Sequence, residues 1–263
     1  MYAFEYQRAK SVADAAAALG KSSGKALAGG QSLVVAMKLR LANPGTLVDL
    51  SGIAELKGIK KEGDAIVIGA LTTHADVASS SVVKQAIPAL AALAEGIGDR
   101  QVRNRGTLGG SLANNDPAAD YPAAVLGLNA TVHTNKRKIA ADDFFKGMYE
   151  TALAADEIIT AVSFPVPKKA AYVKFPNPAS RFALVGVFVA QTGAGVRTAV
   201  TGAASHVHRA KAIEDALAKD FNADAAKAVK VDAKGLNNDL HGSAEYRAHL
   251  VSVLAGRAVA AIA

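Results

Sequence analysis

The chain has 263 residues, about half of them apolar, with 30 Lys and Arg against 23 Asp and Glu for a formal charge of +7. It contains no cysteine, which excludes disulfides and any cysteine-ligated zinc or iron–sulfur cluster within it. The length suits two modest domains or one large one with an appendage, and the basic balance suits an anionic ligand or an acidic partner surface. Nucleic acid is disfavoured, because the densest basic run, Lys136-Arg137-Lys138, is short and has no interleaved aromatics. Met1 to Lys10 lacks the apolar core of a signal peptide, and apolar runs such as Phe182 to Ala190 are too short to span a bilayer. A soluble cytoplasmic protein is expected.

In chain order, Phe4 to Tyr6 reads as a short strand and Ser11 to Leu19 as a helix, with Ser11 the N-cap and Gly20 the stop. Lys25 to Ala28 makes a strand leading into Ala28-Gly29-Gly30-Gln31-Ser32, and Leu33 to Met37 opens a short helix. These glycines thus precede a helix N-terminus, where free N–H groups and the dipole favour an anion. Pro44-Gly45 breaks the chain before a third strand, Thr46 to Leu50.

A second unit starts at Ile59, with Gly63-Asp64 a hairpin signal and Ile66 to Ile68 a buried strand. Thr72-Thr73 begins a helix whose first turn would expose His74, and a further helix broken near Pro88 runs to Ala94. Arg103 and Arg105 alternate as on a strand, an arrangement that serves phosphates and acidic partners equally well. Ala123 to Leu128 reads as a helix, Ala130 to His133 as a strand, Asp142 to Gly147 as a helix start and turn, and a further strand ends at Phe164-Pro165. Pro165, Pro167 and Lys168-Lys169 mark a domain boundary.

The remainder changes character. Ala171 to Phe175, Ala183 to Gln191 and Gly195 to Gly202 predict a three-stranded antiparallel sheet. Helices follow at Ala210 to Leu217, Ala223 to Val231 and Ser243 to about Ile262. In the last, Tyr246, Leu250, Val253 and Leu254 share a face, with Arg247 towards its edge and Arg257 continuing it, stem packed and guanidinium reaching water or an acid. His206 and His208 have same-face strand spacing, but without further ligands they make no metal site. No GxxxxGK[ST], no GxGxxG after a strand and no Ser–His–Asp arrangement is present, which removes the P-loop, Rossmann and hydrolase readings.

The chain is organised around Thr107 to Asp120, TLGGSLANNDPAAD. The adjacent Gly109 and Gly110 let backbone amides approach a ligand and permit positive φ, and Thr107 and Ser111 add hydroxyl donors. A pyrophosphate suits such a nest; the carboxylates beyond Asn114 and Asn115 suit sugar hydroxyls or hold the loop in shape.

With Ala28-Gly29-Gly30-Gln31-Ser32 upstream and Gly242-Ser243-Ala244-Glu245-Tyr246-Arg247 opening the closing helix, this stretch resembles the FAD-binding medium subunits of the molybdenum hydroxylases, the group of carbon monoxide dehydrogenase and xanthine dehydrogenase. The resemblance runs from end to end. It implies an α/β plus α+β chain: a two-lobed FAD-binding domain of the PCMH type over 1–168, with lobes of about 1–54 and 55–168, then a C-terminal domain over 169–263 with its sheet and helix bundle.

The resemblance also implies that Ala28, Gly29, Gly30, Gln31, Ser32 and Leu33, with Thr107, Gly109, Gly110 and Ser111, embrace the FAD pyrophosphate. Asn114, Asp116 and Asp120 would line the same cofactor, Asp120 near the ribitol or ribose; Asp116 before Pro117 is equally a turn residue. Leu153 would pack on the flavin side, Lys174 would lie near the flavin, and Phe182 would stack on the isoalloxazine where relatives often carry tyrosine. Such a subunit passes electrons from iron–sulfur clusters through FAD to an external acceptor. The molybdenum cofactor would sit on a large partner subunit and the 2Fe–2S clusters on a small one, in a dimer of heterotrimers. A stand-alone FAD-dependent oxidase or reductase and a non-catalytic scaffold are the alternatives.

Overall fold

The computed structural model describes residues 1–22 and 24–262, so the last position of the 169–263 span lies outside the described residues. The Ser11 hydroxyl accepts from Asp14 N at 3.1 Å and starts the helix Val12–Lys21. Gly20 lies inside that helix rather than ending it, because the chain turns to extended backbone only at Ser22. Strands Glu5–Arg8, Lys25–Leu27 and Thr46–Asp49 pair in parallel with Thr46–Asp49 in the middle. The strand–helix–strand–helix–strand unit expected for the first fifty residues is therefore present.

The second lobe is a five-stranded antiparallel sheet ordered Ile59–Glu62, Ala65–Gly69, Ile159–Pro165, Thr131–Thr134, Lys138–Ala140. Gly63, with φ of +56°, makes the hairpin between the first two strands. The helices include Pro88–Glu95, Leu108–Asn114 and Tyr121–Gly127. Their apolar residues close one core with Ile66, Ile68, Val132 and Phe164 of the sheet. The arginine run is a short helix, Arg100–Arg103, not a strand. Arg103 finds no acid: it donates from Nη1 to the carbonyls of Ile97 and Gly98, 2.9 Å each.

The C-terminal sheet has four strands, Lys169–Pro176, Ala183–Thr192, Gly195–Thr201 and His208–Arg209, all antiparallel. The last has only two residues, too few to show an alternating pattern, which is why three were expected. Eight successive residues from Ala183 are buried because both faces of the sheet are covered. Phe188, Ala190 and Ala199 enter the core of the second lobe. Val185, Val187, Val189 and Val200 pack with residues of Lys211–Lys219 and Ala244–Ala260.

Arg247 is not at the edge of the closing helix's apolar face but buried, at 3% exposure. Nη1 donates to the carbonyls of Leu184 (2.8 Å) and Gly202 (3.0 Å), and Nη2 reaches both carboxylate oxygens of Asp239. Arg257 points to solvent. Removing a buried cation that holds two carbonyls and an acid is costly. Arg247→Met is expected to lower the unfolding free energy by about 3 kcal/mol, and Arg257→Met by less than about 0.5 kcal/mol, both read from urea denaturation.

Candidate functional site

Strand Lys25–Leu27 delivers Ala28 to Leu33 to the seam between the first two lobes. A Cβ on Gly29 would collide with the carbonyl oxygen of Arg105 and come within 2.8 Å of Gly106 Cα. Only glycine lets the two backbones meet there. Gly30 has φ of +74°, and its carbonyl accepts from Val34 N at 3.3 Å. The amides of Gly29, Gly30, Gln31, Ser32 and Leu33 have no hydrogen-bond partner among the described residues. Gln31 and Ser32 are exposed, and Gln31 Nε2 donates to the Gly29 carbonyl at 3.4 Å. A run of unpartnered amides through a left-handed glycine is a nest for an anion.

The second glycine pair works differently from the expectation. Thr107 to Ser111 is no open turn but the start of the helix Leu108–Asn114, and neither Gly109 nor Gly110 has positive φ. The first amides are already committed: Leu108 N to Thr72 O (3.1 Å), Gly109 N to Ala70 O (2.8 Å) and Gly110 N to the capping Thr107 hydroxyl (3.2 Å). These glycines serve close packing. A Cβ on Gly109 would stand 2.6 Å from Ala70 Cβ; one on Gly110 would stand 2.8 Å from Thr107 Oγ1 and 3.5 Å from Ala28 Cβ. Gly110 thus faces the first glycine stretch across the seam. The Ser111 hydroxyl and the half-buried Asn114 side chain keep their donors, with no partner among the described residues.

Beyond the helix, Asp116 Oδ1 accepts from Ala118 N at 2.9 Å, the turn role its place before Pro117 suggests. Asp120 is 4% exposed, accepts from the Tyr172 hydroxyl at 2.6 Å and from Lys174 Nζ at 3.3 Å, and pairs with that ammonium at 3.0 Å through its other oxygen. Burial pushes its carboxyl up from the ordinary value, against the pull of Lys174 and Tyr172. Lys174 also donates to the Gly96 carbonyl at 3.0 Å, so it is a cross-lobe tie rather than a free strand lysine. Leu153 is half-buried against the second-lobe core, and Phe182 is 49% exposed just before the strand Ala183–Thr192.

His74 was expected in solvent and is 5% exposed. Its ring lies against Tyr121, centroids 5.3 Å apart, and beneath Gly106, where a Cβ would come 2.5 Å from Nε2. The cap residue Thr73 bridges to Thr107, and His74 N donates to the Gly106 carbonyl at 3.0 Å, which draws the side chain inward. No local pattern announces this docking. Burial, aided by the charge of Arg103, lowers the imidazole pKa to about 4 from an ordinary 6.5. The unfolded chain therefore takes a proton before the folded one does. Stability is full above pH 6.5 and is lost as pH falls toward 4, by about 3 kcal/mol from this group. Urea unfolding across that window should show the slope in the wild type and a shallower one in His74→Phe.

Comparison with known proteins agrees with this geometry. Residues 2–167 match the family model described as the FAD binding domain in molybdopterin dehydrogenase. The nicotine 6-hydroxylase medium subunit of Paenarthrobacter nicotinovorans is 39% identical over 98% of this chain and 96% of its own. The solved carbon monoxide dehydrogenase of Hydrogenophaga pseudoflava, in a form lacking the Mo-pyranopterin moiety, superposes with a TM-score of 0.90 at 37% identity, covering 99% of this chain and 97% of the matched one. Quinoline 2-oxidoreductase from Pseudomonas putida 86 gives 0.89 at 29% identity, with coverage of 99% and 97%. The chain belongs to the FAD-binding medium subunits of the molybdopterin dehydrogenases, the carbon monoxide dehydrogenase and xanthine dehydrogenase family. It is an oxidoreductase subunit of that class.

Proposed function

We propose that this chain binds FAD across the seam between its glycine stretches and acts as the electron-transfer subunit of a molybdenum hydroxylase. In this reading it receives electrons from iron–sulfur clusters on a small partner and delivers them to an external acceptor. Substrate is oxidised on a large molybdenum-cofactor subunit, and the complex is a cytoplasmic dimer of heterotrimers. The domain plan is a FAD-binding unit over 1–168, in lobes of about 1–54 and 55–168, followed by a C-terminal unit over 169–263. The end of the family match at residue 167 supports that boundary. Among the described residues, no helix is long and apolar enough to cross a membrane.

The observation that carries the cofactor reading is the run of unpartnered amides from Gly29 to Leu33 beside Gly110. The two fit a pyrophosphate in different ways: the amides as donors, the missing Cβ as room. Gln31, Ser32, Ser111 and Asn114 add side-chain donors within the same stretches, while Leu33 and Ala28 frame the turn. Thr107 and Gly109 hold the facing helix in place rather than offering amides. Asp120 and Lys174 fix the far end of the cleft, with Asp116, Leu153 and Phe182 along it. When bound, the isoalloxazine supplies the redox chemistry; the protein binds, orients and tunes it. No side chain is assigned as a general acid or base.

Gly110→Leu should lose FAD and keep its circular dichroism, because the new side chain must enter the gap facing Ala28. Flavin retention with an unchanged spectrum would contradict the cofactor site. For the electron-transfer role, the isolated chain loaded with FAD should accept electrons from dithionite and reduce a dye, yet not be bleached by an organic substrate. Stopped-flow bleaching by substrate should appear only with both partner chains present. Rapid bleaching of the isolated chain would favour the stand-alone oxidase instead, and a colourless chain that binds no flavin the scaffold.

A further inference from the structure

Strands Phe145–Gly147 and Glu150–Thr151 form a hairpin whose tip leaves Met148 54% and Tyr149 60% exposed. Tyr149 has φ of +57°, a conformation that costs energy for a side chain of this size. One buried residue imposes it. Asn115, 1% exposed and itself at φ +43°, is the C-cap of the glycine helix. Its Nδ2 donates to the carbonyls of Gly147 and Glu150, each at 2.8 Å, and its backbone carbonyl accepts from Tyr149 N at 3.1 Å. The tyrosine hydroxyl reaches Asp116 Oδ2 at 3.5 Å. A strained backbone and a three-bond clamp are an expensive way to hold a ring that fills no core.

The clamp places that ring beside the loop that begins at Asp116. It holds Tyr149 at the C-terminal end of the glycine helix, the same helix whose Gly110 faces Ala28 of the anion nest. The segment after Asp116 leads to the other exposed aromatic. Pro117 O accepts from Gly202 N at 2.8 Å, and Gly202 lies against the backbone of Ala183 and Leu184, immediately after Phe182. Tyr149 through its hydroxyl, and the segment beginning at Phe182 through Gly202, both connect to the Asp116–Pro117 turn, and both rings are substantially exposed.

We propose that Tyr149 is a flavin-ring contact, forming with Phe182 the aromatic walls of the isoalloxazine site, with Asp116 orienting its hydroxyl and Asn115 acting as its positioning residue. This inference rests on the cofactor reading above. The test compares FAD titrations, emission of the bound flavin and thermal melts for the wild type, Tyr149→Phe, Tyr149→Ala, Tyr149→Gly and Gly110→Leu.

Tyr149→Ala should raise the FAD dissociation constant about tenfold, the scale of lost aromatic stacking, and should brighten the bound flavin. Tyr149→Phe, which keeps the ring, should stay within about twofold of wild type in affinity and quenching. Tyr149→Gly should bind FAD as poorly as the alanine variant yet melt at a higher temperature, since glycine relieves the left-handed strain. Unchanged affinity and emission in Tyr149→Ala and Tyr149→Gly, with FAD lost in Gly110→Leu, would overturn this inference alone. Weaker binding without any change in flavin emission would also overturn it, placing the ring against another part of the ligand. FAD retention in Gly110→Leu would remove the cofactor from this cleft, and the inference with it.

Discussion

The approach of the two glycine stretches depends on Gly29 meeting the Arg105–Gly106 backbone without a Cβ between them. That contact docks the parallel first lobe onto the antiparallel second one. On one side it leaves the Gly29–Leu33 amides without hydrogen-bond partners among the described residues; on the other it supports the helix on which Gly110 lies opposite Ala28. The second lobe is fixed underneath by its own exchange of backbone bonds, Leu108 with Thr72, Gly109 with Ala70 and His74 with Gly106. The neutral imidazole of His74 fills the space below Gly106. A larger residue at Gly29, Gly106 or Gly109 would separate surfaces rather than merely fill space.

The far end of the cleft is held by polar groups instead. Buried Asp120 joins Tyr172 and Lys174 of the C-terminal sheet, and Lys174 reaches back to Gly96 at the end of a second-lobe helix. Arg103 holds the next two carbonyls of the same loop. From the opposite direction, Arg247 ties Leu184 and Gly202 to the closing helix, and Gly202 passes the restraint to Pro117. The loop from Asp116 to Asp120 is therefore fastened from both sides. The sheet that fastens it also shares the second lobe's core through Phe188, so the proposed C-terminal unit is packed against the cleft rather than tethered beside it.

Much of this was legible in the residues. The Ser11 and Thr73 caps and the Gly63-Asp64 hairpin are local signals, and each appears where local chemistry puts it. What escaped depends on contacts between segments distant in sequence. That the Gly109 amide is occupied is decided by Ala70, while those of Gly29 and Gly30 find no partner among the described residues. His74 looks like a first-turn surface residue until Thr73 docks on Thr107. Arg247 looks amphipathic until Asp239 and two carbonyls surround it. The fourth strand, at two residues, has no periodicity to detect.

The central claim, that the unpartnered amides of the first glycine stretch are what receives the cofactor's phosphates, is tested most directly by amide chemical shifts. Nitrogen-15-labelled chain titrated with FAD should show its largest amide shifts at Gly29, Gly30, Gln31, Ser32 and Leu33, while the committed amides of Leu108 and Gly109 move little. Saturating FAD binding that leaves the Gly29 to Leu33 resonances in place, or shifts only distant residues, would contradict the account.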